Sequence, residues 1–286
     1  VVSNEQLDLR AALRQFIATD RFFNVRMAPI PSAVLARIMV PAAAPAVRPA
    51  PARPMTPSSS PALRAPAAPA LRPSIPTFST GAGDKVARLA ALDNDHVRPC
   101  RNCRLCEGRK QTVFGDGSAG ARLVFVGEGP GFEEDRQGIP FVGPAGQLLN
   151  KMIAAMGLRR EETYICNVVK CRPPNNRTPM EDEMSACRPY LFEQLRIIAP
   201  ELIVALGAPA ARTLLEQNLP ISRLRGRWHD FTLPVPDGPP RTIPLMPTFH
   251  PAYLLRSPAE KKKSWEDLQL VMTRMGLPNA HANAGA

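Results

Sequence analysis

Four stretches carry side chains able to work together on a flat polar ring. Gly127-Glu128-Gly129-Pro130-Gly131 follows the apolar run Leu123 to Val126, and His250-Pro251-Ala252-Tyr253-Leu254-Leu255-Arg256 follows Thr242 to Phe249. Both runs read as strands, so both motifs fall at strand carboxyl ends, where open α/β sheets bind their ligands. Between them lie Pro140-Phe141-Val142-Gly143 and the run Asn167 to Cys171. The set offers tight-turn glycines, the carboxylate of Glu128, the ring of Phe141, the amide of Asn167 and the imidazole of His250. An amide has both a donor and an acceptor and can read the edge of a heterocycle. A donor aimed at an atom that becomes anionic lowers the barrier by several kcal/mol in principle.

The second chemical set is sulfur. Six cysteines stand at 100, 103, 106, 166, 171 and 187. Without a secretory leader a disulfide framework is not expected. Cys100 and Cys103, as C-x-x-C, could close a four-thiolate site with Cys171 and Cys187. Zinc and iron–sulfur both accept four thiolates, and spacing alone does not separate them. Cys106 extends the motif to C-x-x-C-x-x-C and stands as an alternative to Cys100. Cys166 falls within a strand and reads as a small core hydrophobe.

The elements that must hold these groups alternate. Arg122 to Gly127, Tyr164 to Val169, Leu202 to Leu206 and Thr242 to Phe249 read as strands. Pro144 to Met156, with Leu148, Leu149, Met152, Ile153 and Met156 at helical spacing, reads as a helix. Thr178-Pro179-Met180-Glu181 reads as a capping box starting a helix to Ile198, kinked or broken at Pro189. Gly207 opens a helix through Leu215, and Ser257-Pro258-Ala259-Glu260 launches one through Met275. This alternation predicts a three-layer α/β/α sandwich on a four-stranded, mainly parallel sheet.

That domain occupies residues 84–278. Residues 1–28 place Leu9, Leu13, Phe16 and Ile17 on one face of a short amphipathic helix, whose charges argue against a signal peptide. Residues 29–83 read as a disordered tether: thirteen prolines and five arginines, with no acid, lie between Pro29 and Pro76. A partner-binding role for this extension is the alternative. Residues 279–286 read as a disordered tail. No apolar run is long enough to span a membrane. The net charge of +11 suggests a polyanionic partner, nucleic acid being the commonest.

As a set, these motifs resemble the family-4, iron–sulfur uracil-DNA glycosylases over about residues 97 to 276. The carriers are Gly-Glu-Gly-Pro-Gly, the Glu-Glu-Asp of Glu133 to Asp135, Pro-Phe-Val-Gly, Asn-x-x-Lys-Cys-Arg-Pro-Pro and His-Pro-Ala-Tyr-Leu-Leu-Arg. The resemblance implies a monomeric, cytoplasmic enzyme that flips uracil out of single- or double-stranded DNA and hydrolyses its glycosidic bond. It implies a 4Fe–4S cluster on Cys100, Cys103, Cys171 and Cys187. Phe141 would stack on the base, Asn167 would read O4 and N3–H, and His250 would face O2. Gly129 stands where family-1 enzymes place a water-orienting Asp, and Glu128 would shape the pocket near C5. Glu128, Glu134 or Asp135 would then serve the water, the choice being open. Tyr253, Leu254, Leu255 and Arg256 would form a loop that fills the hole left by the flipped base. A cross-linking relative carries a His-containing insert after the second strand, which Pro173 to Thr178 lacks. The alternative of another class is a non-catalytic iron–sulfur DNA-binding or electron-transfer protein.

Overall fold

The computed structural model describes residues 84–236 and 238–278. The expected N-terminal helix, the tether and the C-terminal tail lie outside the described residues. Helix α1 (Lys85–Ala91) runs into a π-helical segment, Leu92–Val97, and α2 (Leu105–Gly108) follows. After strand β1 (Asp116–Gly117) come β2 (Leu123–Gly127), α3 (Phe132–Gln137) and α4 (Pro144–Ala155). Next are β3 (Tyr164–Asn167), α5 (Glu181–Ile198), β4 (Leu202–Leu206), α6 (Ala208–Leu215) and α7 (Ile221–Leu224). Strands β5 (His229–Leu233) and β6 (Arg241–Thr248), then α8 (Pro251–Arg256) and α9 (Lys261–Met275), complete it.

The sheet has six strands in the order β1-β3-β2-β4-β6-β5. Its centre is the expected parallel set, β3, β2, β4 and β6. The expected four strands are therefore supplemented at both edges, where β1 and β5 pair antiparallel. Asp116 and Gly117 are too few to give a periodic signal, and β5 alternates exposed and buried residues as an edge strand does.

Alternation along each strand sorts the two cores. Val124 and Val126 of β2 face α1, α5 and α6 through Leu89, Leu191, Leu195 and Leu214. Leu123 and Phe125 face α4 and α9 through Leu149, Ile153, Leu268 and Val271. Each such fully buried apolar side chain contributes about 1.5–3 kcal/mol. The three-layer sandwich follows from this two-sided burial.

Two local expectations change. Helix α5 starts at Glu181, not at Thr178, and Glu183 closes its first turn by accepting the Met180 N–H at 2.8 Å. Glu183 also accepts both arms of Arg177, at 2.8 and 2.7 Å. Pro189 does not break the helix, which runs 18 residues through it to a left-handed cap at Ala199. Packing of Tyr190, Leu191 and Leu195 into the core outweighs the lost backbone hydrogen bond.

Candidate active site

The carboxyl ends of β2, β3, β4 and β6 open into one cavity of about 800 Å³. Glu128, Gly129, Glu134, Phe141, Asn167 and His250 all line it, so four stretches far apart in sequence meet there. The sheet register explains part of this, since Gly127 lies opposite Asn167 in the β2–β3 pair. A Cβ at Gly127 would overlap both Asn167 Oδ1 and the Phe141 ring. Only glycine lets the amide and the aromatic face close on the same spot.

Asn167 is 1% exposed, and its Oδ1 is buried with no hydrogen-bond partner. Buried amide oxygens are normally paired, and leaving one unpaired costs about 1–3 kcal/mol. Asn167 is among the residues that line the cavity. The Asn167 carbonyl accepts a 2.8 Å hydrogen bond from Lys170 Nζ.

Phe141 takes φ 53°, a conformation rare for a bulky side chain. Two side chains hold the strained turn. Arg160 donates to the Pro140 carbonyl at 2.7 Å and the Phe141 carbonyl at 3.3 Å, while Asp116 (3.0 Å) and Asn150 (2.9 Å) anchor its guanidinium. From the other side, Glu134 Oε1 accepts the Val142 and Gly143 N–H groups at 3.0 and 2.9 Å. One oxygen of Glu134 is thus committed to the backbone of the stacking loop. Asp135, its buried neighbour, accepts the Lys110 N–H at 2.9 Å.

His250 precedes α8 as its N-cap. Nδ1 accepts the Ala252 N–H at 3.1 Å, so the ring proton resides on Nε2. Burial, reinforced by the charge of Arg256, holds the imidazole down at about 4. At neutral pH the ring is therefore an uncharged donor, 5.6 Å from the Phe141 ring. Gly207, at φ +89°, brings β4 under it; a Cβ there would stand 3.0 Å from the His250 Cβ. Two residues earlier, Thr248 donates to the buried Asp267 at 2.6 Å, and Arg225 grips the same carboxylate at 3.0 and 2.8 Å. Burial raises Asp267, and these two partners oppose the rise.

Glu128 is raised above the ordinary carboxylate range by burial, which a hydrogen bond from the Thr178 side chain partly offsets. Thr178 therefore serves the cavity rather than the start of α5.

The segment after His250 corrects an expectation. Residues 251–256 form helix α8, not a loop, and Leu254 is 1% exposed among the residues of α4 and α9. Leu254 cannot fill a DNA stack, because helical spacing turns it inward. Leu255 (44% exposed) and Tyr253 (37%) point outward, and Tyr253 and Arg256 reach the cavity rim.

On the other side of β3, five cysteines line a second, smaller cavity: Cys100, Cys103, Cys106, Cys171 and Cys187. Cys166 is buried in β3, packed in the core as its strand position suggests. Arg109 donates to Cys171 Sγ at 3.0 Å, and the Lys170 N–H donates to Cys187 Sγ at 3.3 Å. Burial pushes the Cys103 thiol up to about 11 and Cys187 to about 12; burial also raises Cys171 against the pull of Arg109. The lining holds no carboxylate or imidazole; beside the five sulfurs stand Arg109, Lys170, the Asn102 amide and the Tyr190 hydroxyl. Among the described residues no three His, Cys, Asp or Glu side chains are arranged to hold a single metal ion. A donor set of this chemistry fits a polynuclear, thiolate-bound group better than a lone hard cation.

Sequence reasoning missed Arg160, Thr178, Gly207 and the Arg225–Asp267 pair. Gly207 carried a signal, a glycine ending a strand, like Gly127. Arg160 and Asp267 carried none, since each acts on residues made adjacent only by folding.

The sequence profile of the uracil DNA glycosylase superfamily matches residues 114–269, more than half of the chain, and the chain belongs to that superfamily. Within it, the similarity runs to the type-4 group. The Type-4 uracil-DNA glycosylase of Thermotoga maritima is 47% identical over 170 residues, covering 59% of this chain and 84% of that protein. The Type-4 uracil-DNA glycosylase of Saccharolobus solfataricus is 42% identical over 182 residues, covering 62% and 82%. A Type-5 uracil-DNA glycosylase of Pyrobaculum aerophilum is more distant, 34% identical over 124 residues that cover 38% of this chain and 54% of that one.

Proposed function

We propose that the chain is a uracil-DNA glycosylase, a hydrolase of N-glycosyl bonds that begins base excision repair, acting on uracil in single- or double-stranded DNA. The observation that carries the assignment of roles is the buried, unpartnered Oδ1 of Asn167 beside Phe141 and a neutral His250. Uracil offers an N3–H to that oxygen and an O4 to the amide N–H; cytosine offers the reverse pattern. The base must leave the stack to reach the cavity. Phe141 then stacks on it, its turn held by Arg160 and Glu134.

The bond between C1′ and N1 breaks with its electron pair moving onto the uracil ring, and the charge spreads to O2. His250 Nε2–H donates to that oxygen. Because the imidazole is already neutral, it stabilises the anion as a hydrogen-bond donor and need not give up its proton. The oxocarbenium-like sugar takes up water at C1′, the proton that this water loses ends on the uracil anion, and an abasic site remains. Glu128, held by Thr178, orients that water, while one oxygen of Glu134 is engaged with the loop backbone. Gly129 lets the loop pack closely on Val169, whose Cγ2 a Cβ there would meet at 2.7 Å.

Cys100, Cys103, Cys171 and Cys187 would hold a 4Fe–4S cluster, with Cys106 the competing fifth sulfur. The group would supply a covalent tie between the segment before β1, the loop after β3 and α5. The convergence of sulfurs from three segments in a cavity lined by no carboxylate or imidazole supports this reading. Nothing in the site favours the non-catalytic alternative, which has no use for a strained Phe141 or an orphaned amide.

The test is uracil release from single- and double-stranded oligonucleotides by anaerobically purified full chain, with iron and sulfide assayed alongside. Equal molar uracil and abasic sites are expected, with about four irons per chain from the cluster type. Iron-loaded protein that releases no uracil from either substrate would overturn the activity. Zinc without iron would overturn the cluster.

A further inference from the structure

Lys170 is an anomaly that neither the base pocket nor the sulfur cavity explains alone. It is 1% exposed and among the largest fully buried side chains. Its ammonium donates to the Asn167 carbonyl at 2.8 Å and to the Gln194 amide oxygen. It also lies 6.0 Å from the centre of the Phe114 ring. All these partners are neutral; among the described residues no carboxylate forms an ion pair with it. A buried charge without a counter-charge costs several kcal/mol, so such charges are normally paired or beside a metal site. Beside it lies the sulfur cavity, which would be anionic with its thiolates bound to the proposed iron group. Lys170 lines that cavity, and its backbone N–H donates to Cys187 Sγ at 3.3 Å.

We infer that Lys170 is a positioning residue linking the two sites. Its ammonium is the counter-charge of the anionic thiolate-bound group and also clamps the backbone of Asn167, the residue that reads the base. The placement is tight. Residues 167 to 171 run from the base-reading amide to a sulfur ligand, and the Lys170 side chain folds back over that span to the Asn167 carbonyl. Its backbone carbonyl is fixed as well, accepting the Val113 N–H at 2.8 Å. Gln194 completes the hold from α5, its amide nitrogen donating to the Phe114 carbonyl at 3.0 Å and the Tyr164 hydroxyl at 3.1 Å. Loss of the group would leave the ammonium unbalanced, and the first element to shift would be the Asn167 backbone. The sulfur site would thereby govern base recognition without touching the base.

The inference rests on the cluster and on the role of Asn167, and it separates into two measurable halves. Lys170→Met keeps the length and removes both charge and donor. Gln194→Glu keeps the donor to Asn167 and places a carboxylate against the ammonium. In the full, iron-loaded chain, both variants should move the reduction midpoint of the iron group to more negative potential, because each removes net positive charge beside it. Lys170→Met should in addition weaken binding of free uracil, by about tenfold, raising KM far more than it lowers kcat. An unchanged midpoint in Gln194→Glu would overturn the counter-charge half, even if Lys170→Met failed to fold. A shifted midpoint with uracil affinity within twofold of the parent in Lys170→Met would overturn the positioning half. The parent is measured first: absent iron or absent uracil release there defeats the proposed function, a result distinct from either outcome in the variants.

Discussion

The base pocket and the sulfur cavity flank the same strand, β3, and are shaped by the same force with opposite consequences. Burial disfavours charge in both. At His250 this gives the protonation state the chemistry wants, an uncharged ring with its proton on Nε2, held down at about 4. At Cys103 and Cys187 it pushes the thiols up to about 11 and about 12, away from the thiolate that a metal requires. The pocket is therefore organised before its ligand arrives. On the proposed reading, a cationic metal group inside the cavity would stabilise the thiolates that burial opposes. Desolvation favours the neutral donor in the one site and opposes thiolates in the other.

Replacing a ligand should break that contrast most severely. Cys103→Ala, Cys171→Ala or Cys187→Ala is expected to abolish iron retention and cooperative unfolding, read by metal analysis and thermal melting. Cys166→Ala should retain iron. Cys100→Ala should behave like the other ligands and Cys106→Ala should not; the reverse result would make Cys106 the ligand.

On the pocket side, His250→Ala should lower the single-turnover rate of uracil release by roughly 100-fold to 1000-fold, as loss of an oxyanion donor does. DNA affinity should change far less. A loss of only about threefold would show that the neutral ring is not the donor.

The acid side of the pH profile sharpens the comparison further. Glu128, raised by burial, should set the acid limb of the rate above the usual carboxylate range. Glu128→Gln should remove that limb whatever its effect on the plateau. His250 should not titrate until about pH 4. Its unfolded counterpart titrates near ~6.5, so the unfolded chain binds more protons between these values. Stability from this residue is full above that upper value, declines as pH falls, and is gone below the folded value, about 3 kcal/mol in all. Urea unfolding of the parent and His250→Ala at neutral and acid pH should differ by this slope.

A smaller effect is expected at the loop supports. Arg160→Ala frees the carbonyls of Pro140 and Phe141, and charged hydrogen bonds of this kind are worth about 1.5–3 kcal/mol. Uracil capture should weaken roughly to the extent of Phe141→Ala, since stacking is worth about 1–3 kcal/mol. Arg160→Ala that binds free uracil like the parent would show that the turn holds its strained shape unaided.

Residue type and local pattern alone determined a good deal: the four central strands, most of the helices, the ends at which chemistry collects, and the set Glu128, Phe141, Asn167 and His250. These are legible because apolar periodicity and strand-end glycines are local properties of the chain. The edge strands β1 and β5 were not legible, one too short to show a period and the other recognisable only by its partner. Helical spacing buried Leu254 once residues 251–256 closed into a helix, and core packing carried α5 through Pro189. The left-handed Phe141 is held by Arg160, nineteen positions away, and Asp267 steadies the end of β6 from α9. Such contacts leave no trace in spacing. Tertiary structure alone decided which way each side chain faces, how far burial moves its proton, and that the buried Lys170 lies between sulfur and amide, because desolvation and non-local hydrogen bonds exist only after the layers have closed.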